Sequence, residues 1–176
     1  IRFEAVQGLA KKVKPDTVEL LVEALNDDEQ RIRLFAIDAL ETAEATERLL
    51  EAMKSDHSDV RIRAAAACAE MGEAKALEPI LAQLDEAKPE LKELETEWRD
   101  RVIRAFGGLA ALGDPKGAEV AAKSLDDENR DIRGAAARAL AWCVPVDDLS
   151  PLEEALRHSC TQVRLAAALG LAWLGD

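Results

Sequence analysis

The groups in this chain that could hold a metal or move a proton are two histidines, three cysteines and thirty-five carboxylates. A protein zinc site gathers three or four Cys, His or carboxylate ligands, which sequences usually announce by HExxH or CxxC spacing. His57 and His158 each lie near a predicted turn, without further ligands at metal-binding spacing on the same helix. Cys68, Cys143 and Cys160 are far apart and form no CxxC. Few, scattered thiols argue against a disulfide framework and for a reducing, cytoplasmic setting. There is no GxSxG elbow, no P-loop and no GxGxxG opening a helix after a strand. The Gly107-Gly108 step falls inside a predicted helix, where it suits close packing. Acids are abundant, yet no two are set apart as a general acid and base. The chain is predicted to be non-catalytic, with no metal and no cofactor.

Charge narrows the partner. The formal net charge is −12. Binding to a phosphate backbone needs Lys and Arg to displace counterions, so nucleic acid is excluded as an expected partner. Arg2, Lys11, Lys12 and Lys14 make one small basic end on this acidic body. No run of about 18 apolar residues is present, so no membrane span is expected.

The elements that must position these residues are helices. Apolar residues make up 48% of the chain but aromatics only 3%, which leaves Ala and Leu, both good helix formers, as the core material. One phrase recurs: DVRIRAAAACAEMG from Asp59, DIRGAAARALAWCV from Asp131 and QVRLAAALGLAWLGD from Gln162, with weaker copies from Ile1, Arg31 and Asp100. Counting its first apolar residue as position 1 places the copies at Ile1, Ile32, Val60, Arg101, Ile132 and Val163, and the last two intervals are 31 residues each. Position 5 is Ala in every copy, position 8 is Gly or Ala, and position 9 is Leu except at Cys68. Positions 1, 5, 8, 9 and 12 share one helical face. Small residues there let a neighbouring helix approach closely. Shorter amphipathic stretches from Asp16, Ala45, Lys75, Pro115 and Leu149 lie between the copies. Each unit therefore reads as two antiparallel helices. One such pair cannot bury its own apolar face, so successive pairs must stack.

The phrase D-x-x-VR-xx-A-xx-AL-xx-LGD resembles the HEAT repeat, in the bacterial subtype called PBS-lyase-like, over essentially the whole chain. The resemblance implies an all-α fold, a right-handed α-solenoid (an alpha-alpha superhelix) of stacked antiparallel pairs with the second helices on the concave side. It also implies a ladder in which an Asp of the inter-helix turn bonds to the Arg that follows the Val. Asp27 with Arg33 and Asp127 with Arg133 match that spacing; Arg61 matches approximately with Asp56. Arg164 has His158 where the Asp belongs, and at Thr96 and Val102 both residues are missing. Residues 1–176 are expected to form a single repeat domain of about five pairs after a lone N-terminal second helix. The stretch 86–99, around Pro89, reads as an insertion. The array is expected to be a segment of a longer solenoid.

Two sets of residues could meet a partner. Positions 3 and 6 of the second helices carry Phe3, Leu34, Ile62, Ile103, Phe106 and Leu165, and position 7 adds Leu169. They suit either an apolar concave groove or burial between stacked helices. Trp142 and Trp173 are 31 residues apart, both at position 11, and suit either a binding anchor or an inter-repeat packing ladder. The expected function is a protein–protein interaction or scaffold module, whose partner is a basic or amphipathic protein segment. The alternatives are a subunit of a chromophore (bilin) lyase-type enzyme and a structural spacer.

Overall fold

The computed structural model describes residues 2–10, 15–85 and 92–175. All the regular elements among them are helical. A first helix, α1 (Arg2–Ala10), precedes five pairs in chain order. These are α2 (Pro15–Ala24) with α3 (Gln30–Thr42), α4 (Thr46–Ala52) with α5 (Ser58–Glu70), and α6 (Leu77–Asp85) with α7 (Lys92–Leu112). The last two pairs are α8 (Pro115–Lys123) with α9 (Arg130–Cys143), and α10 (Ser150–Ala155) with α11 (Thr161–Leu174). A one-turn 3₁₀ segment, Ala74–Ala76, leads into α6.

The chain folds as two compact units, Ile1–Pro79 and Ile80–Asp176, where the repeat pattern predicts one continuous domain. The division falls within α6. Of the insertion expected over 86–99, residues 86–91 with Pro89 lie outside the described residues, as do Lys11, Lys12 and Lys14 of the basic end. Residues 92–99 are helical and form the first turns of α7, which makes that helix 21 residues long.

In each unit the repeat phrase builds the core. In the first unit, α3 packs on α1, α2, α4 and α5. Its Ala36 and Leu40 are completely buried, as are their equivalents on α5, Ala64 and Cys68. In the second unit α9 packs on α7, α8 and α11, and the same positions are filled by Ala105 and Leu109, then by Ala136 and Leu140. A methyl group at position 5 leaves room for the partner helix, so burial comes from helices touching rather than from large side chains meeting. Position 8 shows the limit of this packing. A Cβ added to Gly170 on α11 would stand 2.8 Å from the Ala141 Cβ on α9, so only glycine allows this approach.

The ends of the second helices repeat as well. Gly72 and Gly113 follow α5 and α7 with φ of +79° and +61°, where the left-handed turn favours glycine. The equivalent residue after α3 is Glu44, held at φ +51° without that freedom. The turn closes in the same way in both cases: the Ala45 N–H donates to the Leu40 carbonyl at 3.0 Å and the Glu73 N–H to the Cys68 carbonyl at 2.8 Å.

Candidate partner-binding face

The second helices are oriented by an arginine at position 2 of the phrase. Arg33 Nη1 donates to the Asp27 and Asp28 carbonyls at 2.8 and 3.1 Å. Arg61 Nη1 does the same to Ser55 and Asp56, Arg133 to Asp127 and Glu128, and Arg164 to His158 and Ser159. These bonds satisfy carbonyls in the turn that enters each second helix, where helical bonding has not yet begun. The acceptor differs from the expected one. In every rung it is a backbone carbonyl, not the carboxylate of Asp27 or Asp127.

The turn side chain has a separate task. Asp27 Oδ1 accepts from the Glu29 N–H at 2.9 Å, and Asp127 Oδ1 accepts from the Asn129 N–H at 2.7 Å. Ser55 Oγ and His158 Nδ1 accept the equivalent bonds from His57 and Cys160. Because any short acceptor can fill that place, histidine substitutes for aspartate before α11 without loss of the rung. A rung at Val102 is precluded for a simpler reason: α7 runs straight through residues 96–102, so no turn is there to be held.

In the first unit the arginine also bridges repeats. Arg33 Nε and Nη2 donate to Asp59 Oδ2 of α5 at 3.1 and 2.9 Å, with both side chains only 11% exposed. The second unit has Gln162 where Asp59 stands in the repeat, and the buried Arg133 Nε has no hydrogen-bond partner there.

The face left open on the second helices is set by positions 7 and 11, except at position 7 of α5, where Ala66 is buried. In the first unit it is polar. Asp38 at position 7 of α3 and Glu41 bind Arg63 of α5 at 2.6 and 3.1 Å. Burial raises the Glu41 carboxyl above its ordinary range; Arg63 opposes this, and a hydrogen bond to Glu70 adds to it. Phe3, expected to face a partner, packs edge-on against Phe35 at 5.3 Å, and the Arg31 guanidinium lies 4.0 Å from its ring centre.

In the second unit the same row is apolar. It runs from Gly107 and Ala111 on α7 through Arg138 and Trp142 on α9 to Leu169 and Trp173 on α11. Trp142 and Trp173 meet edge to face with centroids 4.7 Å apart, yet remain 52% and 73% exposed. Packing ladder and open surface are therefore both true of this pair. Leu165 and Leu169 are also open, at 59% and 62%.

Of the two readings open for positions 3 and 6, burial holds for most of the residues and an open surface for Leu165. Ile62 and Phe106 are core residues, 3% and 1% exposed, and Leu34 and Ile103 are half-buried. Position 6 points between neighbouring helices, so Phe106 fills the interior of its unit. The sequence reading missed Arg138 and the cluster of Asp38, Glu41, Arg63 and Glu70. Following positions 7 and 11 through all copies would have found Asp38, Glu70 and Arg138.

The three thiols are free and differ in environment. Burial, reinforced by Glu73 and Glu41, pushes the Cys68 thiol up to about 11. Burial, reinforced by Asp114, pushes Cys143 up to about 12, and its Sγ donates to the Leu109 carbonyl at 3.3 Å. Cys160 caps α11, where the backbone N–H groups of Val163 and Gln162, with Arg133 beside them, lower its thiol below the ordinary value. Since the thiolate is the nucleophile, Cys160 is expected to be labelled first by a disulfide reagent near neutral pH. Cys68 and Cys143 should react only after denaturant is added; equal labelling of all three in the folded protein would contradict these environments. Among the described residues no group of three His, Cys, Asp or Glu could hold a metal ion, and no helix is long and apolar enough to cross a membrane.

The chain is similar to known proteins. Residues 89–172 match a family model described as HEAT repeats, and residues 60–94 match one described as PBS lyase HEAT-like repeat. A HEAT repeat-containing taxis protein of Halobacterium salinarum is 29% identical over 123 residues, which is 61% of this chain and 30% of that protein. This chain thus spans under a third of that relative's length. The complex of CpcE and CpcF of phycocyanin lyase from Nostoc sp. PCC7120 is similar in structure, with a TM-score of 0.61 and 21% identity, over 93% of this chain and 67% of that one. An engineered protein is similar with a TM-score of 0.58 and 20% identity, over 98% of this chain and 83% of that one. At such identities the structural likeness concerns the fold alone.

Proposed function

Taking this as a HEAT-repeat chain, we propose that it is an interaction or scaffold module for another protein, without catalysis of its own and in a reducing, cytoplasmic setting. The observation that carries the reading is Trp142. It sits on an internal helix with α7 packed on one side and α11 on the other, and its indole is still half exposed. Large aromatics cost little entropy to order and dominate binding hot spots, so an open Trp pair on a rigid helical face suits a docking surface. The acidic row of the first unit, Asp38, Glu41 and Glu70 around one Arg63, suits a basic or amphipathic segment.

Affinity capture with the chain in its full natural length tests the reading. The double variant Trp142→Ala/Trp173→Ala is expected to melt as a folded protein and to lose the captured partner. Undiminished capture by that variant would remove the Trp face from the reading. No partner for either form would leave a structural spacer. The PBS-lyase-like repeat over 60–94 favours a second reading, a subunit of a chromophore lyase. Transfer of a bilin to an apo-antenna protein in the presence of this chain would establish it.

A further inference from the structure

We propose that the Trp face of the second unit docks a protein segment that presents apolar side chains next to a carboxylate. The inference rests on the interaction reading above and adds the chemistry of the partner. That chemistry is opposite in sign to the one that suits the first unit.

Three observations carry it. The first is where the exposure comes from. Leu165, at position 3 of α11, is open, whereas its equivalent on α9, Gly134, is covered by Gln162 of α11 and by Arg138 of its own helix. Leu165 therefore reports what lies beside α11. Trp142 does not, because its own neighbours are in place and position 11 stays open. Gly107 is open as well: an added Cβ there would meet nothing within 4 Å. The row thus has a shallow floor at Gly107 and Ala111 and an aromatic wall at Trp142 and Trp173.

The second is charge. The chain carries −12 overall, but the six residues of this row, from Gly107 to Trp173, include no acid and one cation, Arg138. Among the described α-helices, α11 alone has no acidic residue. The third is the state of that cation. Arg133 and Arg164 are occupied by turn carbonyls, whereas the exposed Arg138, one turn before Trp142, has no hydrogen bond or ion pair among the described residues. Trp142, Leu169 and Trp173 together leave roughly 400 Å² of apolar side chain open, taking about 150–250 Å² for each large group, which is the size of a functional patch. A partner carboxylate on Arg138 would fix the register of an apolar anchor on that patch, whereas a lysine there would be repelled.

The test uses two synthetic amphipathic peptides with the same apolar face, one flanked by Glu and one by Lys, titrated into the chain and followed by tryptophan emission and calorimetry. The Glu peptide is expected to bind about tenfold more tightly than the Lys peptide and to blue-shift the emission, with the preference falling as salt rises. Trp142→Ala/Trp173→Ala should abolish its binding. Arg138→Glu should reverse the preference, with a cooperative melting curve showing that the variant stays folded. Equal or inverted preference in the natural sequence, or Glu-peptide binding that survives loss of both tryptophans, would overturn the proposal. So would no binding of either peptide at about 1 mM, the level where only −4 kcal/mol is required. If the Lys peptide binds and needs the tryptophans, the interaction reading stands and the acidic preference falls. Lys-peptide binding that ignores the tryptophans is assigned to the acidic row of the first unit.

Discussion

Replacing Arg33 by Met is expected to destabilise the first unit by about 3–5 kcal/mol, the cost of leaving one member of a buried ion pair alone. Four bonds are lost at once. Nε and Nη2 no longer satisfy Asp59 Oδ2, and Nη1 no longer satisfies the two turn carbonyls. Asp59 is itself only 8% exposed, so water cannot replace the guanidinium. Its place in the first turn of α5 offsets part of the loss through the helix dipole, which puts the effect toward the lower end. Arg133→Met is the control. It removes an identical pair of carbonyl bonds but orphans no charge, because Gln162 replaces the aspartate. It should cost about 1–2 kcal/mol, as expected for ordinary hydrogen bonds. Equilibrium urea unfolding of the two variants checks the difference. Equal losses would mean that the Arg33–Asp59 bridge behaves as an exposed pair, worth at most about 1 kcal/mol.

Phe106→Ala is expected to cost about 3–5 kcal/mol by opening a cavity in the second unit, where Phe106 is among the largest fully buried side chains. Trp142→Ala removes a larger side chain and should cost only about 1 kcal/mol, chiefly its edge-on contact with Trp173. Size alone predicts the opposite order. The contrast therefore measures whether each aromatic belongs to the core or to the open face, and circular-dichroism melts of the two variants decide it. A Trp142 variant as damaged as the Phe106 variant would make the tryptophan pair structural and would remove the ground for the docking face.

Much of this protein is legible one helix at a time. Alanine at position 5 and, in all copies but one, leucine at position 9 recur every 28 to 41 residues, and a helix turns about 100° per residue. The sequence therefore determined by itself that the chain is helical, that its helices pair and stack, and which stripe of each second helix is buried. The arginines after Ile32, Val60, Ile132 and Val163 were recognisable as rungs only through the resemblance to the HEAT repeat.

What the tertiary structure alone decided is what lies against the rest of each helix. Positions 3 and 6 carry apolar residues on many copies, but a period gives only their direction around one axis. Whether that direction meets a neighbour or water depends on the distance and angle of helices 28 to 41 residues away. Thus Phe106 and Leu165 look alike as residue types, yet one is core and the other is open. The rungs show the same limit on the scale of atoms. Spacing brings Asp27 near Arg33, but only the folded turn shows that the guanidinium takes the carbonyl and leaves the carboxylate to cap an N–H. Two tryptophans a repeat apart were bound to be neighbours; that they meet edge to face and still face water follows from an open row, which no single helix's sequence contains.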